Sequence, residues 1–280
     1  MKLLRYGAPG AEKPGLLHDG AIRDLSGIVP DIAGDAIGPE GIAKIAATDP
    51  TTLPLVDGDP RLGPCVAGTG KFICIGLNYS DHAAETGATV PDEPIIFMKA
   101  TSAICGPNDP IVIPRNSEKT DWEVELAVII GKPGKYIAEA DAMDHVAGFA
   151  VTNDVSERAF QIEREGQWTK GKSCDNFGQI GPWLVTPDEV ADVQDLPMWL
   201  TVNGESMQNG STNTMVFGVK YLVSYLSQFM SLQAGDVIST GTPPGVGLGL
   251  TPQRYLKPGD VVELGIEGLG AQRQDVVAEA

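Results

Sequence analysis

The segment Asp121-Trp122-Glu123-Val124-Glu125-Leu126 and, further along, Asn153-Asp154-Val155 hold the side chains best suited to chemistry in this chain. The β-branched run from Val124 to Ile130 predicts a buried strand, and a period of two puts Glu123 and Glu125 on one face with Val124 and Leu126 on the other. On strand geometry their Cα atoms lie roughly 7 Å apart. Two carboxylates pointing the same way beside an apolar wall cannot both stay ionised without a counter-charge. A hard divalent cation with oxygen ligands supplies one. Asp154, which ends a second apolar run from Val146 to Val151, offers the third oxygen.

Other segments could serve such a centre. In Gly76-Leu77-Asn78-Tyr79-Ser80-Asp81-His82-Ala83-Ala84-Glu85 a strand ends at Leu77, and Ser80 or Asp81 can cap a short helix. His82 and Glu85 are then surface neighbours, and the carboxylate can orient the imidazole and raise its basicity, giving a pair able to activate water. If a helical turn begins at Asp154, Arg158 and Gln161 share its face, a cation and a neutral donor beside the carboxylates. Lys172 lies in a glycine-containing turn, and Thr242 on a tight loop at a strand end. Lys99, in Phe97-Met98-Lys99, is a further candidate for contact with an anionic ligand. Two glycine motifs are set aside. Gly68-Thr69-Gly70-Lys71 lacks the first glycine and the hydroxyl of a P-loop, and Gly245-Val246-Gly247-Leu248-Gly249 leads into Thr251-Pro252 rather than a dinucleotide-binding helix.

The elements that must position these residues are mostly strands. Short apolar runs (Phe72 to Leu77, Ile95 to Met98, Ile111 to Ile113, Val124 to Ile130, Val146 to Val151, Leu200 to Val202, Val237 to Thr240 and Val261 to Ile266) are separated by Gly, Pro and Asp. Helical patterns are few: Ser80 to Glu85, part of Ser156 to Gln167, and Val216 to Met230, whose stripe of Phe217, Tyr221, Leu222, Tyr225, Leu226 and Phe229 is expected in the core. Strands that do not alternate regularly with helices predict an α+β class rather than a doubly wound parallel sheet. Residues 1–68, with a strand, an Asp19-Gly20 turn, a second strand and a helix near Gly38 to Ala47, are expected to form a small N-terminal α+β domain, and residues 69–280 the catalytic one.

Composition limits the partners. A formal net charge of −17 repels phosphate backbones and anionic lipid, so neither nucleic acid nor membrane is expected. The first residues carry no sustained apolar stretch and nowhere do eighteen apolar residues run together, which predicts a soluble, cytoplasmic protein. Cys65, Cys74, Cys105 and Cys174 are scattered without a C-x-x-C spacing, as reduced and mostly buried thiols would be.

Taken in order, Gly76-Leu77-Asn78-Tyr79 with His82 and Glu85, Asp121 to Val128, Asn153 to Arg158 with Gln161, Gly171-Lys172-Ser173, and Gly241-Thr242-Pro243-Pro244-Gly245-Val246-Gly247 resemble the motifs of the fumarylacetoacetate hydrolase family. The resemblance covers Lys71 to about Ile266. It implies a mixed β-sandwich roll, a homodimer, and Mg²⁺, or Mn²⁺ or Ca²⁺ as in some members, held by Glu123, Glu125 and Asp154. It further implies that His82 and Glu85 activate water on a mobile loop and that Arg158, Gln161, Lys172 and Thr242 contact substrate.

Three carboxylates around a dication leave a net charge of minus one and open positions for a 1,3-dioxo acid. Water deprotonated by His82 is expected to attack the distal carbonyl, with Lys172, Gln161 and Thr242 stabilising the oxyanion and Arg158 holding the substrate carboxylate. The C–C bond then breaks to release a pyruvate-type anion. Within the family the glycine–lysine stretch looks most like hydrolases of 2,4-dioxo-3-deoxy sugar acids. Acylpyruvases, ureidoglycolate lyases, oxaloacetate decarboxylases and 2-hydroxyhepta-2,4-diene-1,7-dioate isomerases look similar. A β-rich module with a structural Ca²⁺ is the non-enzymatic alternative, and it would leave the metal fully coordinated by protein.

Overall fold

In the computed structural model, which describes residues 1–81, 85 and 89–279, each of the apolar runs becomes a strand. Strands β1 (Lys2–Tyr6), β2 (Lys13–His18) and β3 (Ala21–Asp24) are followed by a helix, Pro39–Ala46. Next come β4 (Phe72–Gly76), β5 (Ile95–Lys99), β6 (Ile104–Cys105), β7 (Ile111–Ile113) and β8 (Thr120–Asp121). The central strands β9 (Val124–Ile130) and β10 (Val146–Asp154) lead to β11 (Ser156–Glu157) and two short helices, Arg158–Ile162 and Thr169–Lys172. After β12 (Gly178–Val185), β13 (Pro197–Val202) and β14 (Glu205–Ser211) comes the longest helix described, Val219–Phe229, then β15 (Val237–Ser239), β16 (Val261–Ile266) and β17 (Gly270–Ala278).

The strands assemble into a large mixed sheet of order β3-β2-β1-β12-β10-β9-β15-β4-β5, with β6 added beside β12, and a second sheet of order β14-β13-β16-β17-β7. Strands β8 and β11 form a ladder of their own. The fold is α+β. No described helix is long and apolar enough to cross a membrane.

Every residue of β9 and β10 is buried, which explains why both read as near-continuous apolar runs. The period of two in β9 divides its side chains between two cores. Val124, Leu126, Val128 and Ile130 pack with Leu200, Leu222, Leu226 and Leu264, beneath the second sheet and the long helix. Ala127 and Ile129 face the other way, into a cluster with Leu3, Leu16, Ile45, Val66 and Phe72. Glu123 and Glu125 therefore belong by parity to the side of the strand backed by the N-terminal segment. That segment extends the large sheet, since Leu3 of β1 stands opposite Leu184 of β12.

The long helix departs from its expected packing. Val219, Leu222, Val223 and Leu226 are its buried apolar residues. Phe217, Tyr221, Tyr225 and Phe229, spaced four apart, instead climb its outer side as a ladder of rings with centroids 5.4, 5.7 and 4.9 Å apart. The apolar arc is wider than the surface available to cover it. Three of the four thiols are buried, and burial pushes those of Cys65 and Cys105 up to about 12, as expected of inert core cysteines.

A buried glutamine ties the second sheet to β9, the strand that carries Glu125. Gln208 Oε1 accepts from Val124 N at 2.9 Å, while its Nε2 donates to Thr242 Oγ1 and to the Pro243 carbonyl, both at 2.8 Å. Gln208→Leu keeps the volume but leaves Val124 N and the Pro243 carbonyl unpaired in the interior. Urea denaturation is expected to show a loss of about 2–4 kcal/mol; an unchanged midpoint would show that these bonds add nothing net.

Candidate active site

The carboxylates meet because the backbone leaves them little choice. Antiparallel register sets Thr152 of β10 opposite Glu125 of β9, and two residues on the Asp154 N–H donates to the Glu123 carbonyl at 2.9 Å. Asn153 Oδ1 accepts from Glu123 N at 3.1 Å and closes the corner. Glu123 stands just before β9 rather than within it, yet oxygens of Glu123, Glu125 and Asp154 all lie within 4.8 Å of one another, and all three residues are buried.

Three buried cations answer this concentration of negative charge. Lys172 Nζ donates to Glu123 Oε2 at 2.7 Å and to Asp154 Oδ2 at 2.8 Å. Lys99 Nζ pairs with Asp154 Oδ1 and donates to the Val155 carbonyl at 2.9 Å. Arg158 Nε donates to Asp121 Oδ2 at 2.8 Å, and its Nη1 to Gln161 Oε1 at 3.0 Å. Arg158 Nη2 lies 2.7 Å from Glu123 Oε1 without the straight geometry of a hydrogen bond, so that contact is ionic. The result is an alternating chain: Asp121, Arg158, Glu123, Lys172, Asp154, Lys99. Burial works against the Lys172 and Arg158 charges, but Asp154 and Glu123 hold the lysine, and Asp121 and Glu123 the arginine, above their ordinary pKa values.

Glu125 stands outside the chain. Its Oε2 accepts from Ser239 Oγ and, at 2.9 Å, from Gly241 N, and no cation among the described residues pairs with it. Burial, reinforced by the charges of Asp154 and Glu123, raises its pKa well above the usual carboxylate value despite nearby Lys172. Gly241 turns its N–H toward this acid at φ 98°, where a side chain would be strained and a Cβ would meet Asn78 Cβ at 2.9 Å.

A buried carboxyl with neutral donors only, beside two others at ligand spacing, fits an oxygen-ligated dication. The charge balance differs from that expected from the sequence. Four acids (Asp121, Glu123, Glu125, Asp154) against three cations leave minus one, which a dication turns to plus one rather than leaving the site negative.

The cluster opens on a cleft of about 230 Å³, whose polar lining is Glu123, Glu125, Arg158, Gln161, Lys172 and Thr242. Lys99 does not line it; the lysine sits behind Asp154 and steadies that carboxylate. Thr242 lines it, but its hydroxyl gives its one proton to the Val124 carbonyl at 2.9 Å, so it offers a ligand a lone pair rather than a donor. Glu85 accepts from Gly245 N at 3.0 and 3.2 Å, next to the loop that closes the cleft at Val246 and Leu248. His82 lies outside the described residues.

Asp121 is the residue sequence reasoning passed over. Besides Arg158 Nε, it accepts from Gly247 N at 2.7 Å and Leu248 N at 2.9 Å, so it anchors both the guanidinium and the glycine loop. A signal existed: Asp121, Glu123 and Glu125 continue one period of two. Ser239 and Asn153 carried no comparable signal.

The chain matches the fumarylacetoacetate (FAA) hydrolase C-terminal family over residues 71–277. It belongs to the fumarylacetoacetate hydrolase family. A protein of Burkholderia multivorans, provisionally named a hydrolase, is 64% identical over 276 residues, 98% of either chain. Fumarylacetoacetate hydrolase from the psychrophile Exiguobacterium antarcticum superposes with a TM-score of 0.90 at 36% identity, covering 100% of both chains. The 2-hydroxyhepta-2,4-diene-1,7-dioate isomerase of Mycobacterium marinum does so at 0.75 and 33%, covering 100% of this chain and 99% of that one. Maleylpyruvate hydrolase from Sphingobium sp. SYK-6, solved with manganese(II) and pyruvate, gives 0.83 and 28% with 100% of both chains covered.

The elevated Glu125 pKa means that folding takes up a proton here. In metal-free protein the stability linked to this group is present below the unfolded carboxylate pKa of about 4.3 and is lost as pH rises through the folded value. Glu125→Gln removes that loss. In chelator, its denaturation midpoint is expected to fall less with rising pH than the parent's. Added Mn²⁺ should stabilise the parent and not the variant, and equal stabilisation of both would show that Glu125 is not a ligand.

Proposed function

We propose that this chain is a divalent-metal-dependent hydrolase that cleaves a C–C bond of a 2,4-dioxo acid to give pyruvate and a carboxylic acid. The observation that carries this reading is the alternating chain of buried charges with Glu125 left over. Loaded with a dication, it is a net-positive pocket beside a cleft sized for a small anion. The likeness to a maleylpyruvate hydrolase solved with manganese(II) and pyruvate supports it.

Glu123, Glu125 and Asp154 would hold the ion, with Mg²⁺ as the proposed occupant and Mn²⁺ or Ca²⁺ as substitutes. When bound, the ion polarises the keto acid and spreads the charge that develops as the C–C bond breaks. His82 takes the proton of the attacking water and Glu85 orients its imidazole. Lys172 Nζ and the Gln161 amide, both in the cleft, receive the oxyanion at the attacked carbonyl. Arg158 keeps N–H groups beyond those given to Asp121, Glu123 and Gln161, and offers them to the substrate carboxylate. The same reading takes the working form to be a cytoplasmic homodimer.

The likeness to a 2-hydroxyhepta-2,4-diene-1,7-dioate isomerase favours a second reading, isomerisation at the same centre. Oxygen-18 water separates the two. Hydrolysis places label in the released carboxylic acid, and isomerisation incorporates none.

His82→Ala is expected to keep Mn²⁺ affinity and lose turnover by about 10²- to 10⁴-fold. Asp154→Asn should lose metal affinity by more than roughly 100-fold, measured by calorimetry, and activity with it. Full turnover in the His82 variant would remove the water-activating pair from the mechanism.

A further inference from the structure

The cleft has two chemistries. Charged and amide groups gather around the acids, while the other side chains of its described lining are apolar, Ile75, Phe97, Ile162, Trp168 and Leu248 among them, with Gly76 adding backbone only. Phe97 joins the two parts, for Lys172 Nζ sits 5.1 Å over its ring and the Trp168 ring meets it edge-on with centroids 5.2 Å apart. Trp168 is fixed from both ends. Its carbonyl accepts from Gly171 N at 2.9 Å and Lys172 N at 3.2 Å, so the residue that walls the cleft also starts the turn presenting Lys172. Its ring lies so close over Gly76 that a Cβ at that position would fall 2.5 Å from it. Ile162, directly after Gln161, lines the cleft while 45% exposed, a large aliphatic side chain partly open to solvent.

The polar lining side chains cluster near the acids, at the end of the cleft that would take the keto-acid group. The Thr242 proton goes to Val124, and Asp121, Glu123 and Gln161 anchor Arg158 at that same end. A substituent that extends past Lys172 therefore meets hydrocarbon. A hydroxylated chain placed there gives up water without replacement bonds, whereas an alkyl or aryl group gains by leaving water.

We propose that the acyl half of the substrate is apolar, an alkyl or aryl group rather than the polyhydroxylated chain of a sugar acid, and that Trp168, Phe97 and Ile162 select it. The inference rests on the reading of the site as a 2,4-dioxo acid hydrolase, and it replaces the sugar-acid assignment suggested by sequence resemblance.

Two measurements test it separately. Calorimetry on Mn²⁺-loaded protein follows binding of unreactive 2-oxo acids, from pyruvate through straight-chain homologues, and of a polyhydroxylated 2-oxo acid of equal length. Affinity is expected to rise about fourfold per added methylene, with the polyhydroxylated acid at least tenfold weaker than its alkyl counterpart. Trp168→Ala and Ile162→Ser should flatten that gradient; the second changes an exposed position and guards against a folding defect in the first. A flat series in the parent, or equal or tighter binding of the polyhydroxylated acid, overturns the inference. Turnover of alkyl, aryl and polyhydroxylated 2,4-dioxo acids is measured alongside, and kcat/KM is expected to follow the binding order. If no dioxo acid is cleaved while the binding gradient holds, the hydrolase reading fails and the apolar selection stands. Cleavage that favours the polyhydroxylated acid overturns the selection and keeps the hydrolase.

Discussion

The rest of the site depends on an alternation of charge: among the described residues three bases are interleaved with three acids, and a fourth acid is left without a base. Moving each of these ions out of water costs several kcal/mol, a cost offset only where partners are close and every lone pair is used. Here each cation is shared. Lys172 joins Glu123 to Asp154, Arg158 joins Asp121 to Glu123, and Lys99 joins Asp154 to a backbone carbonyl. Among the described residues Glu125 receives only a hydroxyl and an N–H. The arrangement is self-consistent except at that acid, and a cation bound there would complete it.

The scaffold's contribution is to make this arrangement rigid. Both strands that deliver the acids are buried along their whole length, so their ends cannot fray into solvent and release the charges. Buried amides lock the surroundings. Gln272 Nε2 donates to the Val151 and Gly181 carbonyls, tying β17 to β10 and β12, and Gln274 Oε1 accepts from Asn153 Nδ2 next to Asp154. Polar groups in the core are costly if unpaired and directional if paired. These fix the register that sets the carboxylate spacing.

The same glutamines show why part of the fold was hidden in the sequence. Strand β17 alternates as a strand should, but Gln272 and Gln274 are buried while Ala271 faces out, so a search for apolar alternation passes over it. Strand β12 is interrupted by Gly181-Pro182, which reads as a turn. Strands with uninterrupted apolar runs, β9 and β10 above all, were legible because burial on both faces demands such runs. The acids were legible for a different reason: their spacing is local, two residues apart on one strand. The roles of Lys99 and Asp121 were not, because each depends on a partner brought from another strand or loop, and nothing local says whether a lysine faces a cleft or the back of an aspartate.

Net charge gives the cation a role before any bond is broken. The protein carries −17 overall, so its global field repels a keto acid, and a proton held on Glu125 leaves the metal-free cluster of acids and bases without the positive charge that would attract one. A dication taking the place of that proton would make the local charge positive, and it would do so where low polarisability lets charge act at close range with little screening. Affinity for the anionic end of a substrate is thereby tied to metal loading, whatever the chemistry that follows. The carbon wall of Phe97, Trp168 and Ile162 carries no charge, and its contribution to binding does not depend on the ion. On the proposed reading the cleft separates two tasks: the end that would hold the metal would grip what the candidate substrates share, and the apolar end would respond to the part in which they differ.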